Sequence, residues 1–348
     1  MGHVLMKSHR LLLSNFLMSF LLTGLFIYLG HRFGWLERHD KLHPKRRVVS
    51  YGGLVIYATY WLNSWRFLGD LWSYPTQRMV FISSTLLVII GLIDDYFELS
   101  ALVKAIGILI CSNIIFFGTD LHFASNLISI DWSWGTRFKY LLTIGWIFIV
   151  TNSINLLDGV DGLASSVSVS GLIVLAITSY SFSLSLRYTN LILLLLLVTS
   201  ILGFIPWNWS PAKIYLGDTG ALFIGFMYAI QSITNLKNIG FYTIILPVIF
   251  YLVPLFDTAY VIVRRYLNKQ SILSRDESHL HYSLRRYGLS DTQIVLVMVA
   301  TTAICSLLGL LSQVFAPYRH WITLVILMAA GVIFLWLLSK NLRQDKPS

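Results

Sequence analysis

The sequence predicts an all-α chain, a polytopic integral membrane helix bundle of about eleven transmembrane helices, or ten if the weakest run is not a span. Three observations predict it. The chain is 56% hydrophobic and only 12% charged, against about 25% charged in soluble domains, and its mean hydropathy is +0.70. Apolar runs near the length that spans a bilayer, about twenty residues, recur along it. Trp and Tyr cluster near the ends of several runs, as an interfacial belt requires. No composition shift divides the chain, so residues 1–348 read as one transmembrane domain.

The runs follow in order. The first, centred near Phe20, comes after Lys7 and Arg10 like a signal peptide, but no small-residue cleavage site follows and the run continues to Gly30, so a retained helix is expected. The second, near Tyr57, is short and carries Asn63 and Arg66; it is the weakest. The third, near Leu87, ends Gly91-Leu92-Ile93 before Asp94-Asp95. The fourth, near Ile110, opens with Lys104. The fifth, near Trp146, runs into Asn152, and the sixth and seventh centre near Leu172 and Leu195. The eighth, near Phe226, begins beside Asp218. The ninth, near Phe250, holds Pro247 and Pro254 and is expected to kink. The last two centre near Ala300 and Met328. Cys111 and Cys305 both lie within apolar runs and read as packing residues, with no disulfide or metal spacing.

The formal charge of +10 would suggest nucleic acid in a soluble protein. Here the basic residues sit in loops, where they set orientation and meet lipid head groups, so no nucleic acid partner is expected. With the N-terminus outside, 17 of the 26 Lys and Arg fall in inner segments. The inner loops are then 31–50, 94–104, 152–162, 206–214 and 264–291. The same assignment leaves only Asp70, Asp120 and Asp131 of the 16 carboxylates outside. A transporter would more often hold its carboxylates near the midplane; an enzyme acting on a lipid head group would gather them on the cytosolic face.

Residues 151–164 read Thr-Asn-Ser-Ile-Asn-Leu-Leu-Asp-Gly-Val-Asp-Gly-Leu-Ala. At helical pitch Asn152, Asn155 and Asp158 share a face, with Asp161 a turn further on. An ionised Asp at the bilayer centre costs about 2.5–3.5 kcal/mol, which places this cluster at a membrane face. Asp94 and Asp95 project about 100° apart on a helix, so one can meet a metal or phosphate while the other is hydrogen-bonded; the plainer alternative is a hydrophilic helix end. Asp218, in Tyr215-Leu216-Gly217-Asp218-Thr219-Gly220, is either an N-cap or a cation ligand beside glycines that admit a close ligand. Lys104 either pairs with a carboxylate or phosphate or snorkels to the interface. His279-Leu280-His281, amid Arg275, Arg285 and Arg286, has too few partners for zinc and reads as a phosphate contact or a solvated basic loop. The segment Arg38 to Arg47 reads as a topology signal and lipid-surface patch.

Four motifs stand in order: Gly91-Leu92-Ile93-Asp94-Asp95; Asn152 to Leu163; Asn208-x-x-Pro211-Ala212-Lys213-x-x-x-Gly217-Asp218-Thr219-Gly220; and Asp276-x-x-His279-Leu280-His281. Together they resemble the polyprenyl-phosphate N-acetylhexosamine-1-phosphate transferases, glycosyltransferase family 4, over roughly Gly52 to Ser290. The resemblance implies a bacterial inner (cytoplasmic) membrane enzyme with a periplasmic N-terminus. It would pass sugar 1-phosphate from a UDP-sugar to undecaprenyl phosphate, release UMP, and depend on Mg²⁺, with Mn²⁺ the alternative. It implies Asp218 and Asn155 as metal ligands, and Asp94, Asp95 and Asp158 as catalytic groups that orient or deprotonate the lipid phosphate and line the pyrophosphate region. Asp161 and Asn208 would bond the uracil edge, Tyr215 would stack on the base, and Lys104, His279 and His281 would contact phosphate or sugar. Direct attack is the preferred route. A homodimer is compatible with the family.

Departures bear on the sugar. Tyr282 stands where the family often has another histidine, Ala221 where serine is common, and Val49 and Ser50 where Pro or Arg is common. The histidine pattern is unlike the branch that makes lipid I of peptidoglycan and closer to the O-antigen and common-antigen type, with N-acetylglucosamine the default sugar. Two rival classes stand beside this. A CDP-alcohol phosphatidyltransferase needs Asp-Gly-x-x-Ala-Arg followed by spaced aspartates, but Asp161-Gly162-Leu163-Ala164-Ser165 lacks the Arg and no carboxylate follows until Asp218. A transporter, or an inactive scaffold keeping the motifs, would show no turnover.

Overall fold

With apolar runs too long for strands and polar residues confined to their ends, helices are the structure in which a lipid-embedded chain satisfies its own backbone. The computed structural model describes residues 2–36, 48–123, 132–182, 187–236, 242–269 and 279–344. The expected segment Arg38 to Arg47, and Arg275 and Asp276 of the last loop, lie outside them. The helices are α1 (Gly2–Phe33), α2 (Gly53–Leu68), α3 (Pro75–Phe97), α4 (Ala101–Gly118), α5 (Trp132–Leu157), α6 (Leu163–Phe182), α7 (Arg187–Asn208), α8 (Gly217–Leu236), α9 (Tyr242–Phe250), α10 (Leu252–Leu267), α11 (Leu280–Arg286), α12 (Asp291–Val314) and α13 (Arg319–Gln344). No strand occurs among the described residues; the only ladder-like pairs there are single bridges, Leu36 with Val49 and Val49 with Ile214.

Local chemistry sets several boundaries. Pro75 opens α3, where its missing N–H costs nothing. Ser100 caps α4 by accepting from the Val103 N–H, and Ser290 with Gln293 forms a capping box on α12. The ninth run breaks at Tyr251, so that α9 and α10 meet at 87°; Pro247 lies in α9 and Pro254 in the first turn of α10.

All eleven expected runs are helical, but they are not eleven equal spans. Among the described residues eight helices are long and apolar enough to cross a bilayer, nine if the bent α9–α10 pair is one span. Helix α2 has only 16 residues. Helix α8 is surrounded by protein, with 17 of its 20 residues buried, and it packs on α5, α3, α2, α6, α7 and α9. That position tolerates polar side chains which lipid would not, because partners are supplied: Asn235 accepts from Ser179 at 2.6 Å, and Ser232 accepts from the Trp146 indole at 3.0 Å. Asn63 of α2 is likewise paired, donating at 2.9 Å to Asn15 of α1, which in turn donates to the Leu196 carbonyl of α7 at 2.8 Å. Cys111 is buried, and both cysteines are free.

Close approach of helices to the start of α8 depends on glycine. A Cβ on Gly91 of α3 would lie 2.5 Å from the Thr219 Cα, and one on Gly53 of α2 would run into the Gly220 backbone. The segment before α8 is tied to the segment before α2: Val49 accepts from the Tyr215 N–H at 2.9 Å, while Tyr215 and Leu216 carbonyls accept from the Gly52 and Gly53 N–H groups at 3.0 Å.

Candidate active site

The first turn of α8 is the centre of the site. Gly217 has φ 72°, a left-handed conformation natural to glycine, and a Cβ there would lie 2.7 Å from an Asp95 oxygen. Asp95 accepts from the Asp218 N–H at 2.7 Å, the Thr219 N–H at 3.2 Å and the Thr219 hydroxyl at 2.6 Å. It thus satisfies donors that a helix N-terminus leaves open. Asp94 points elsewhere, as their helical offset leads one to expect. It is buried, its Oδ1 accepting from the Leu99 N–H at 2.6 Å and its Oδ2 from the Lys104 ammonium at 2.9 Å. Lys104 also reaches Asp218 Oδ1 at 3.4 Å, so the expected choice between pairing and snorkelling falls to pairing. The Asp94 and Asp218 carboxyl groups are themselves in side-chain contact.

Asn155, near the end of α5, donates its amide to Asp218 Oδ1. Asp158 lies just past that helix and accepts from the Gly217 N–H. Burial, reinforced by the charges of Asp218, Asp95 and Asp161, holds the Asp158 carboxyl well above the usual carboxylate range. Asp218 stays open, with its side chain 28% exposed. Asp94, Lys104, Asn155, Asp158 and Asp218 therefore form one polar centre at one end of the bundle.

Other expected residues make different contacts. Asn208 is buried; it accepts from the Ser165 hydroxyl at 3.0 Å and donates to the Ile214 carbonyl at 2.9 Å. Asp161 accepts from the Ala212 N–H at 3.0 Å. Both hold the loop 208–214 in place. Tyr215 is half-buried, its backbone fixed to Val49 and Gly52. The glycines around Asp218 bring protein close: a Cβ on Gly217 would meet Asp95, and one on Gly220 would meet Leu216 and Gly53.

His279 and His281 stack with ring centres 5.6 Å apart and planes within 7°. His281 is buried, with neither ring nitrogen hydrogen-bonded. It packs on the site loop: a Cβ on Gly159 would lie 2.6 Å from its Nε2. Burial pushes its imidazole down to about 4, with His279 and Arg285 adding to the fall and Asp257 opposing it. Asp257 of α10, which meets His279 Nδ1 at 3.0 Å, was not singled out by sequence reasoning. Its one signal was a carboxylate inside an apolar run. Thr219 and Gly53 were also missed as supports of the Asp218 turn.

Among the described residues no three His, Cys, Asp or Glu side chains converge as a ready metal cage. The donor set is nevertheless hard oxygen chemistry, an accessible Asp218 carboxylate beside an Asn155 amide and the Asp158 carboxyl. That suits Mg²⁺, which takes one or two carboxylates and completes its shell with water and substrate phosphate.

A model described as glycosyl transferase family 4 matches residues 77–235. The chain is 33% identical over 311 residues to a probable undecaprenyl-phosphate N-acetylglucosaminyl 1-phosphate transferase of Bacillus subtilis (strain 168), covering 87% of this chain and 81% of that protein. It is 26% identical over 321 residues to an undecaprenyl-phosphate alpha-N-acetylglucosaminyl 1-phosphate transferase of Thermotoga maritima, covering 91% and 94%. A phospho-N-acetylmuramoyl-pentapeptide-transferase of Thermotoga maritima is 29% identical over 317 residues, covering 85% and 97%.

Proposed function

The chain belongs to glycosyl transferase family 4, and from that premise we propose that this multi-pass membrane protein transfers N-acetylhexosamine 1-phosphate from a UDP-sugar to undecaprenyl phosphate. The default donor is UDP-N-acetylglucosamine, because N-acetylglucosamine is the sugar in the names of its relatives from Bacillus and Thermotoga. The product, a sugar-diphospho-lipid, would begin a cell-envelope polysaccharide of the O-antigen kind. The membrane is the bacterial inner membrane, with the N-terminus periplasmic and the Asp218 end of the bundle cytoplasmic.

The observation that carries this reading is Lys104 seated between Asp94 and Asp218 at 2.9 and 3.4 Å, beside Asn155 and Asp158. Two phosphates must meet here, and their repulsion is the main obstacle. A phosphate monoester has its second pKa near 6, so the lipid phosphate is already largely dianionic at pH 7 and needs positioning more than deprotonation. Asp94 orients it. Lys104 offsets charge on the donor's phosphates. Asp95 is assigned a positioning part, because its oxygens are engaged by the α8 N-terminus. Asp158 lines the pyrophosphate region, Tyr215 stacks on the base, Asp161 and Asn208 hold the base loop in shape, and His279 and His281 contact the donor. A lipid phosphate oxygen bonds to the donor's β-phosphorus as the bond from that phosphorus to the bridging oxygen breaks, and UMP leaves. Mg²⁺, or Mn²⁺, held by Asp218 and Asn155, would neutralise charge between the two phosphate groups.

The test is turnover by purified protein in detergent with undecaprenyl phosphate, Mg²⁺ and a panel of UDP-N-acetyl sugars. UMP release that requires lipid, metal and one sugar supports the proposal and identifies the donor. Folded protein that releases no UMP from any donor refutes it in favour of the transporter or scaffold.

A further inference from the structure

Outside the polar centre, Asp257 is the buried aspartate among the described residues, 2% exposed. A buried carboxylate needs strong partners, and Asp257 has two. Its Oδ1 accepts from the Leu280 N–H at 2.7 Å, and its Oδ2 lies 3.0 Å from His279 Nδ1. The bend between α9 and α10 carries this carboxylate on a helix that packs against α5, whose end holds Asn155.

The contacts form a relay. His279 is fixed at Nδ1 by Asp257, and Asp257 also anchors the first residue of α11. His281 has no hydrogen bond to orient it, so its ring is set by its neighbours: the parallel His279 ring on one side and Gly159, next to Asp158, on another. A carboxylate at one ring nitrogen determines which nitrogen carries the proton, and such partners commonly govern how well the imidazole works.

We infer that Asp257 is a positioning residue for the transfer: by binding His279 Nδ1 it keeps the proton on that nitrogen, leaves Nε2 as the acceptor for a hydroxyl of the donor's sugar, and holds the stacked imidazoles against the Asp158–Gly159 loop. The inference rests on the proposed reading that His279 contacts the donor.

The experiment compares Asp257→Asn, His279→Ala and the double variant by kcat and KM for the UDP-sugar, together with histidine-selective ¹⁵N NMR of the detergent-solubilised protein, His279 being assigned by the signal lost in His279→Ala. Asn keeps an oxygen for the Leu280 N–H but turns an N–H toward the ring. The expected result is an about 10- to 100-fold loss in kcat/KM, no further loss in the double variant beyond His279→Ala, and a move of the His279 proton from Nδ1 to Nε2. If His279→Ala loses activity while Asp257→Asn stays within about twofold, or if the two losses multiply, the inference is overturned and the proposed function stands. If His279→Ala is fully active, the histidine reading falls and the inference with it. Should Asp257→Asn not fold, the unmodified protein still decides: His279 protonated only at Nε2 overturns the inference.

Discussion

Replacing Gly91 with alanine should disable the site while leaving the bundle intact. The added Cβ would lie 2.5 Å from the Thr219 Cα, 2.6 Å from its nitrogen and 2.9 Å from the Asp218 carbonyl carbon. All three are backbone atoms, so no side chain can swing aside. Carbon atoms prefer about 3.5–4.0 Å, so α3 and the first turn of α8 must separate by about 1 Å. Overpacking of this kind costs about 1–3 kcal/mol, and exchanging glycine for alanine within a helix returns about 1 kcal/mol. The net destabilisation is therefore no more than about 2 kcal/mol. The separation, however, acts between Asp94 and Lys104 on one side and Asp218 on the other, and a 1 Å misplacement of reacting groups costs about 100-fold in rate. The assay is UMP release by the purified variant, with thermal unfolding in the same detergent. Gly145→Ala on α5, where a new Cβ meets nothing within 4 Å, is the control and should be fully active. A Gly91→Ala enzyme within about twofold of the unmodified protein would refute the claim that these glycines set the site's spacing.

Other perturbations separate the aspartates by role. Asp95→Ala leaves the Asp218 and Thr219 N–H groups without their acceptor, at a cost of about 2–4 kcal/mol, and should lower the melting temperature markedly, with Asp95→Asn recovering part of it; an unchanged melting temperature would contradict its capping role. Asp158 is different, because its carboxyl is raised above 3.8 by burial first and by Asp218, Asp95 and Asp161 after it. The folded protein then holds a proton the unfolded chain has lost, so stability falls as pH rises from about 4 through the raised value. Asp158→Asn should therefore melt higher than the unmodified protein at pH 8, with the gap closing towards pH 4, while turnover drops; a lower melting temperature at pH 8 would contradict this. Asp218→Asn should remove metal-dependent turnover in a protein that still folds, and retained activity would take Asp218 out of the metal site.

Much of this architecture is legible in the sequence because it follows from periodicity and local chemistry. The apolar runs give the helices, Pro247 and Pro254 mark the break between α9 and α10, and the helical offset of Asp94 from Asp95 foretells their different partners. Helix α8, at 20 residues, falls short of the lipid-facing spans in apolarity and not in length, but a run read from the sequence does not show that protein encloses it. Nor could spacing show that Asn208 bonds Ser165, that Asp161 holds Ala212, or that Asp257 meets His279 across 22 positions. Those pairings exist only once α6, α7, α10 and α11 are packed. Gly91 and Gly53 illustrate the same limit: each reads as an ordinary glycine until the α8 backbone is found against it.

The most direct test of the central claim follows the phosphate. UDP-N-acetylglucosamine, or the active donor from the panel, is labelled with ³²P at the β-position and incubated with the protein, Mg²⁺ and undecaprenyl phosphate. Transfer of sugar 1-phosphate carries the label into the lipid fraction and leaves unlabelled UMP. Label retained in released UDP, with the sugar alone on the lipid, would contradict the account, because the phosphate-to-phosphate chemistry assigned to Asp94, Lys104 and Asp218 would then not be the reaction.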